Sequence, residues 1–259
     1  MIFNTTLAGG TKAKADGFLL FTSPSRFRIQ LLDANWDGRL EWSTDKENWK
    51  TVTKEVFYGF GIDFETPNYG DLFAIYLRGS GNTSLGKYDY KGNVPSGGTN
   101  FLLDGNSYFD CSGNFYALLD WKIAETGLFP VMGWSCFFNL LSGNKKLRSV
   151  PSLSAPTLSP SCYDTMFKGC VRLTSLPKLP ASTIPNGAYR SMVEGCTRIV
   201  LSETQSDEFP TPYQIPFEGE AETVEDYALA SMFDNTGGSF TGTPEPNTTY
   251  YLHKNCKIV

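Results

Sequence analysis

A chain of 259 residues with 22 Lys and Arg against 27 Asp and Glu carries a net charge of −5 and has no basic run. Nucleic acid as main partner is thereby excluded, because phosphate binding needs clustered Lys and Arg. With 25 Gly, 15 Pro, 19 Phe and 13 Tyr, the composition suits a loop-rich, β-containing protein with a substantial core, in one large or two modest domains, and excludes a helical bundle and a disordered chain.

In chain order, residues 1–113 read as a β-rich N-terminal module, sandwich or barrel-like. Residues 1–6 have neither the basic start nor the apolar middle of a secretory leader. Residues 18–32 predict one or two strands. Residues 40–43 and 49–54 flank Thr44, Asp45, Lys46, Glu47 and Asn48, a good hairpin turn, and 71–78 predict another strand between Gly70 and Gly79. The apolar runs, such as residues 17–21, are far shorter than the roughly 20 residues of a membrane helix, so no membrane insertion is expected. Phe115, Leu118, Leu119 and Ile123 follow helical spacing and predict a helix over 115–126, ended by Gly127.

One idea is then written repeatedly. Tyr163, Met166, Gly169 and Cys170 return as Tyr189, Met192, Gly195 and Cys196, each 26 residues on. Leu173 returns as Ile199, and a worn copy precedes them at Cys136, Phe137, Leu140, Gly143 and Leu147. Within a copy, Tyr163, Met166, Phe167 and Cys170 sit at i, i+3, i+4 and i+7, one face of a short helix, with Asp164, Thr165 and Lys168 on the other. Gly169 suits a left-handed helix end. Leu173, Leu176 and Leu179 follow, interrupted by Pro177 and Pro180, which allows only a very short strand or extended ledge. A fixed period of this size predicts a solenoid whose units bury their apolar faces against one another. Its structural core would be Phe137, Leu140, Leu147, Tyr163, Met166, Phe167, Cys170, Leu173, Leu176, Tyr189, Met192, Cys196 and Ile199. Its outward candidates for binding are Asp164, Lys168, Arg172, Arg190, Glu194 and Arg198.

This pattern, over residues 135–201, resembles the 26-residue surface-protein repeats related to BspA-like leucine-rich repeats of gut and oral bacteria and their phages. Residues 32–45 and 232–244 share the likeness. Two departures stand out: Asn144 where Cys is expected, and Ala188 in place of the leading Cys. The resemblance implies surface display and binding or adhesion rather than catalysis, with no enzyme activity and no cofactor. It implies partners among other virion or surface proteins, a homo-oligomer, and a host-surface glycan or protein as ligand. Either a leader has been removed, or the surface is reached without secretion; the second route is preferred, by a virion component (fibre, tail or head appendage) that folds in the host cytosol and is released by lysis. The alternatives are a bacterial cell-surface adhesin and, further off, a carbohydrate-active enzyme.

Beyond the third copy, 202–225 is an acidic connection, 227–233 a last degenerate helix, and 239–259 a terminal hairpin. The expected fold is therefore α+β. A β-rich module (1–113) leads to a linker helix and three leucine-rich-type repeats forming a short solenoid, each with a short helix and a short strand (114–201). An acidic connection and β-hairpin cap close the chain (202–259).

Candidate chemistry is thin. His253 and Cys256 are the lone histidine and a nearby thiol, but a Cys–His nucleophile pair needs a third, orienting group. The six cysteines read as buried, reduced thiols, with a disulfide framework as the rival. Four metal ligands at zinc spacing are absent. Asp33, Asn35, Asp37 and Gly38 start like a calcium loop, but Thr44 stands where a twelfth-position Glu belongs; a tight Asp-Gly turn is favoured. Glu41, Asp63, Glu65 and Asp71 carry no glycosidase signature. Trp36, Trp42, Trp49, Trp121 and Trp134 could stack on sugars, with a place in the core favoured. Lys145, Lys146 and Arg148 read as a solvated repeat edge.

Overall fold

The computed structural model describes residues 16–53, 62–63, 70, 72–92 and 94–259. The first strands are β1 (Leu19–Ser23), β2 (Phe27–Leu31), β3 (Arg39–Ser43), β4 (Lys50–Thr51) and β5 (Ile62–Asp63). They are followed by β6 (Phe73–Ser80), β7 (Gly86–Asp89), β8 (Val94–Gly98), β9 (Phe101–Gly105) and β10 (Phe109–Gly113). One sheet runs β10-β1-β6-β3-β4, a second runs β5-β2-β9, and β7 pairs with β8 as a separate ribbon. β1 and β2 are consecutive but lie in different sheets, as do β9 and β10. Each pair thus turns a corner, and Phe27 meets Phe109 across it with ring centroids 5.3 Å apart. β2 alternates buried Phe27, Ile29 and Leu31 with half-buried Arg28 and Gln30, because one face meets the core. β1 is buried at all five positions, since both its faces are covered. The strand expected over 71–78 is seen as β6; its first residue, Asp71, lies outside the described residues, as do residues 1–6.

The helix expected over 115–126 is α1 (Ala117–Ala124), interrupted at Asp120, whose φ of −147° and ψ of 107° are not helical. Gly127, at φ +78°, closes it with its N–H on the Ala124 carbonyl. α1 crosses β6 at Gly79, where a Cβ would overlap the Leu118 carbonyl oxygen. Asn82 ties the crossing together by donating from Nδ2 to the carbonyls of Arg39 and Leu118, each at 2.9 Å.

The α+β class and the solenoid of helix–strand units are overturned. Among the described residues α1 is the one α-helix, it precedes the repeated sequence, and the remainder is β-rich, divided among several separate sheets. The repeated segments fold as runs of turns. Ser161, Thr165 and Gly169 have φ of 54°, 54° and 73°, so every fourth residue leaves the right-handed region that a helix requires throughout. The amides then alternate. Asp164, Met166 and Lys168 donate to the carbonyls three residues back, Ser161, Tyr163 and Thr165. Tyr163, Thr165 and Phe167 donate instead to Ala188, Arg190 and Met192 of the next copy, at 2.9, 2.8 and 2.9 Å. A helix sends every N–H to a carbonyl four residues back; here half of them leave the segment. The i, i+3, i+4, i+7 spacing still gathers its side chains on one side, because a four-residue turn period lies close to 3.6.

The degenerate helix expected over 227–233 is likewise a turn segment. Tyr227, Ser231 and Asn235 take positive φ, and Tyr189, Ser191 and Val193 donate to Ala228, Ala230 and Met232. Strands between segments are very short: β11 (Leu147–Ser149), β12 (Ser175–Leu176), β13 (Thr183–Ile184), β14 (Val200–Ser202), β15 (Thr211–Tyr213), β16 (Thr223–Val224) and β17 (Gly237–Gly238). β11 adds to β10 in parallel, extending the first sheet into the turn region. The expected terminal hairpin is not formed: β18 (Tyr250–Leu252) lies antiparallel between β14 and β15, whereas β19 (Lys257–Ile258) pairs in parallel with β12. The acidic connection is fastened by Tyr213, whose hydroxyl donates to the Pro177 carbonyl at 2.9 Å. One apolar core runs from Leu19 to Cys256 without a break.

Because α1 rests on the bare backbone of Gly79, Gly79→Ala should lower stability by about 2 kcal/mol or more, read as a lower urea midpoint at unchanged m-value. Gly219→Ala, where an added Cβ meets nothing within 4 Å, should stay within about 0.5 kcal/mol of the parent.

Candidate functional site

The 26-residue offset places like positions above one another. Phe137, Tyr163 and Tyr189 form one column, with ring planes 3° and 7° apart and centroids 6.0 and 5.9 Å apart. Leu140, Met166 and Met192 form a second column; Leu147, Leu173 and Ile199 a third; Phe167, Cys170, Leu176 and Cys196 complete the set, and all are fully buried. The Tyr163 hydroxyl lies 3.0 Å from that of Tyr116, which accepts the Ala155 N–H at 2.8 Å. Burial pushes the phenols of Tyr116, Tyr163 and Tyr189 up from their ordinary range, so they stay protonated.

The six outward candidates do not form one site. Asp164, expected to be exposed, is buried: its carboxylate accepts from Arg190 Nε at 3.0 Å and Nη2 at 2.5 Å. These are like positions of neighbouring copies, so the ion pair is a rung between layers. Lys168 and Glu194, also like positions, pair at 2.7 Å. Arg172 and Arg198 remain exposed. Burial raises the Asp164 carboxyl to about 6, with the Arg190 hydrogen bond, the Arg190 charge and Lys168 pulling the other way. Glu194 is held below the usual carboxylate range: burial opposes this, but hydrogen bonds from Lys168 and Ser191 outweigh it. Asp164 Oδ1 is buried and has no hydrogen-bond partner.

The edge of the stack carries an aromatic platform that sequence reasoning missed. Trp134, expected in the core, keeps 37% of its surface exposed, and Tyr90 keeps 73%. Tyr88, Tyr90 and Trp134 are in mutual contact, with centroids 4.6 Å (Tyr88–Trp134), 5.0 Å (Tyr90–Trp134) and 5.6 Å (Tyr88–Tyr90) apart. The β7–β8 ribbon that carries the tyrosines is pressed on the first turn segment: a Cβ on Gly86 or Gly98 would overlap the carbonyl oxygens of Ser135 or Phe138. Ser84 Oγ holds the Trp134 carbonyl at 3.0 Å, and Gly133 N–H donates to Thr83 O at 2.8 Å. The two halves of the platform are 44 residues or more apart in sequence, and no local pattern joins them. Of the other tryptophans, Trp36 is core, while Trp49 and Trp121 clasp the Arg78 guanidinium at 3.9 and 4.4 Å from their ring centroids.

The remaining chemical candidates resolve individually. His253 accepts from the Asn255 N–H at 3.2 Å and its ring meets Phe209 edge-on, while the Cys256 thiol donates to the Arg198 carbonyl at 3.3 Å and is pushed up by burial. That is the opposite of nucleophile activation. All six cysteines are free and buried; burial raises Cys111, Cys136 and Cys196 well above the usual thiol range and Cys170 to about 12. Asp37 accepts from Thr83 and Ser84, so its oxygens fasten a loop; among the described residues no group of three His, Cys, Asp or Glu could hold a metal. Glu41 pairs with Arg78 and Arg39 at 2.9 and 2.8 Å; Asp63 lies in β5, and Glu65 and Asp71 lie outside the described residues. In the basic cluster Lys145 and Lys146 are exposed, as a solvated edge requires, while Lys146 Nζ also donates to Gly105 O at 2.6 Å and half-buried Arg148 binds Asp110 over the Tyr108 ring.

Compared with family models, curated proteins and solved structures, the chain matches none.

The Asp164–Arg190 rung gives two expectations. Arg190→Met strands a buried carboxylate and should cost about 3–5 kcal/mol at pH 7. Asp164 has a folded-state value of about 6 against 3.8 for an ordinary side chain. Its contribution to stability is therefore fully present below about pH 4 and lost as pH rises through 6. Asp164→Asn should flatten the wild-type fall in stability between pH 4 and 7, by up to roughly 3 kcal/mol, in urea titrations at stepped pH.

Proposed function

We propose that this chain is a non-enzymatic structural and binding protein displayed on a surface, a component of a phage particle such as a fibre, tail or head appendage, that engages a host-surface glycan or protein. The observation that carries the reading is the exposed platform of Tyr88, Tyr90 and Trp134 held on a rigid frame. Exposed aromatic rings packed on one another lose little freedom when a ligand arrives, so contact area is converted into affinity at low entropic cost. The frame itself supports the reading: alternate amides of successive segments donate to the neighbouring segment, the first segment's carbonyls at Cys136 and Leu140 accept from Leu85 and Phe101, and the last segment's Ser231 and Phe233 donate to Thr243 and Gly242.

The thiols favour the virion route to the surface over secretion. Six buried, unpaired cysteines suit a protein that folds in a reducing cytosol, whereas secreted domains generally oxidise theirs. The lone Cys–His pair speaks against thiol catalysis, since its sulfur proton is already committed to the Arg198 carbonyl.

Two measurements test this. Gold-labelled antibody against the chain should decorate purified particles from a lysate; label confined to the soluble fraction would sink the virion reading. A thiol-reactive dye should find almost no accessible cysteine in the native protein and all six in denaturant, whereas fewer than six after denaturation would indicate disulfides and favour secretion.

A further inference from the structure

Resting on the binding reading above, we propose that the edge formed by Tyr88, Tyr90 and Trp134 beside Arg190 is a carbohydrate site, and that it takes a neutral, hexopyranose-containing oligosaccharide. Three features of the edge lead there. First, the rings meet at 86°, 63° and 43°, so their faces are not stacked shut on one another, and Tyr90 and Trp134 leave apolar surface open to solvent. The C–H face of a pyranose is a flat apolar surface of matching size, and its hydroxyl rim stays in water or finds donors at the side.

Second, polar groups stand at that side. Phe138, Asp164 and Arg190 occupy like positions of successive copies, 26 residues apart, and the β7–β8 ribbon abuts the first of them through Gly98. The Tyr88 phenol lies within electrostatic reach of both Arg190 and Asp164. The Arg190 side chain is 34% exposed and can donate N–H groups to sugar hydroxyls. Asp164, with no exposed side-chain surface, touches no ligand; it is a positioning residue that fixes the guanidinium from behind.

Third, the charge balance selects the class. Asp164 neutralises Arg190, and along the ribbon Lys87 and Lys91 are matched by Asp89 and by Asp33, whose carboxylate lies 3.3 Å from where a Cβ on Gly97 would stand. An acidic sugar therefore finds no net cation to pair with, and a neutral one loses no charge hydration. A protein partner is the less fitting occupant: the three rings make a small, hydroxyl-tipped surface, whereas standard protein interfaces bury about 800 Å² per partner.

The test is affinity electrophoresis of the full chain in gels containing mannan, laminarin or galactan as neutral probes and alginate or polygalacturonate as acidic ones. At least one neutral polysaccharide should retard the wild type, and Trp134→Ala and Tyr90→Ala should each weaken that retardation about tenfold. Tyr90→Phe, which keeps the ring, should retain it. Exposed Lys254→Ala, in the loop after β18 whose backbone donates to Glu208, should change nothing, and equal urea midpoints would show that all four variants fold. Retardation by acidic probes alone, by no probe, or equally in Trp134→Ala would overturn the site. So would size-exclusion data showing a dimer that Trp134→Ala converts to monomer, because the rings would then face protein. If the wild type and Trp134→Ala bind host cells equally, this site falls while the surface-binding reading stands. If gold label is missing from particles, that earlier reading falls whatever the gels show.

Discussion

In each turn segment the amides take two directions by turns. One closes on a carbonyl three residues back, and the next crosses to the neighbouring copy. A left-handed residue recurs at every fourth position of the same segments. Glycine serves at 143, 169 and 195, while Ser135, Asn139, Thr165 and Ser191 accept the conformation despite their side chains. Such residues are strained in isolation. They persist because each one's neighbours are hydrogen-bonded on both sides and each buried side chain rests on its counterpart.

Several features follow from that cross-layer spacing. Segments hydrogen-bonded like strands lie roughly 4.8 Å apart, and rings at like positions slide slightly off centre, as Phe137, Tyr163 and Tyr189 do. Charges at like positions also fall within reach, so Asp164 meets Arg190 and Lys168 meets Glu194. Opposite charge at these two positions thus ties the second copy to the third. Where the copies end, substitutions mark the junction. Asn144 stands where Cys170 and Cys196 donate to Leu141 and Phe167, and its amide bonds Phe101, Leu103 and Leu141 instead. The worn first copy is worn because its neighbour is strand β9, not another turn segment.

The platform depends on the same junction. Gly86 and Gly98 let the β7–β8 ribbon lie directly on the backbone of the first copy, which brings Tyr88 and Tyr90 against Trp134. A ribbon of two strands has little stability of its own; backing by the turn stack gives it a defined surface to present.

The repeat, its period and its buried positions were legible in the chain alone, because burial at a like position selects a like residue: Tyr163 and Tyr189, Met166 and Met192, Cys170 and Cys196 declare one another. The hairpin around Asp45 and the stop at Gly127 were legible for a different, local reason: turn and cap residues act through their own backbone. The conformation inside the copies was not. A period near four residues places the same side chains inward whether the backbone is a helix or a run of turns, and hydrogen-bond direction, which decides between them, is set by whether a neighbour offers carbonyls at the right distance. The role of Asp164 and the meeting of Tyr90 with Trp134 were hidden likewise, since each depends on a partner brought near only when the layers stack and the ribbon docks. What the amino-acid order determined was which residues leave water; what tertiary structure alone decided was where their backbone hydrogen bonds go and which surface is left facing out.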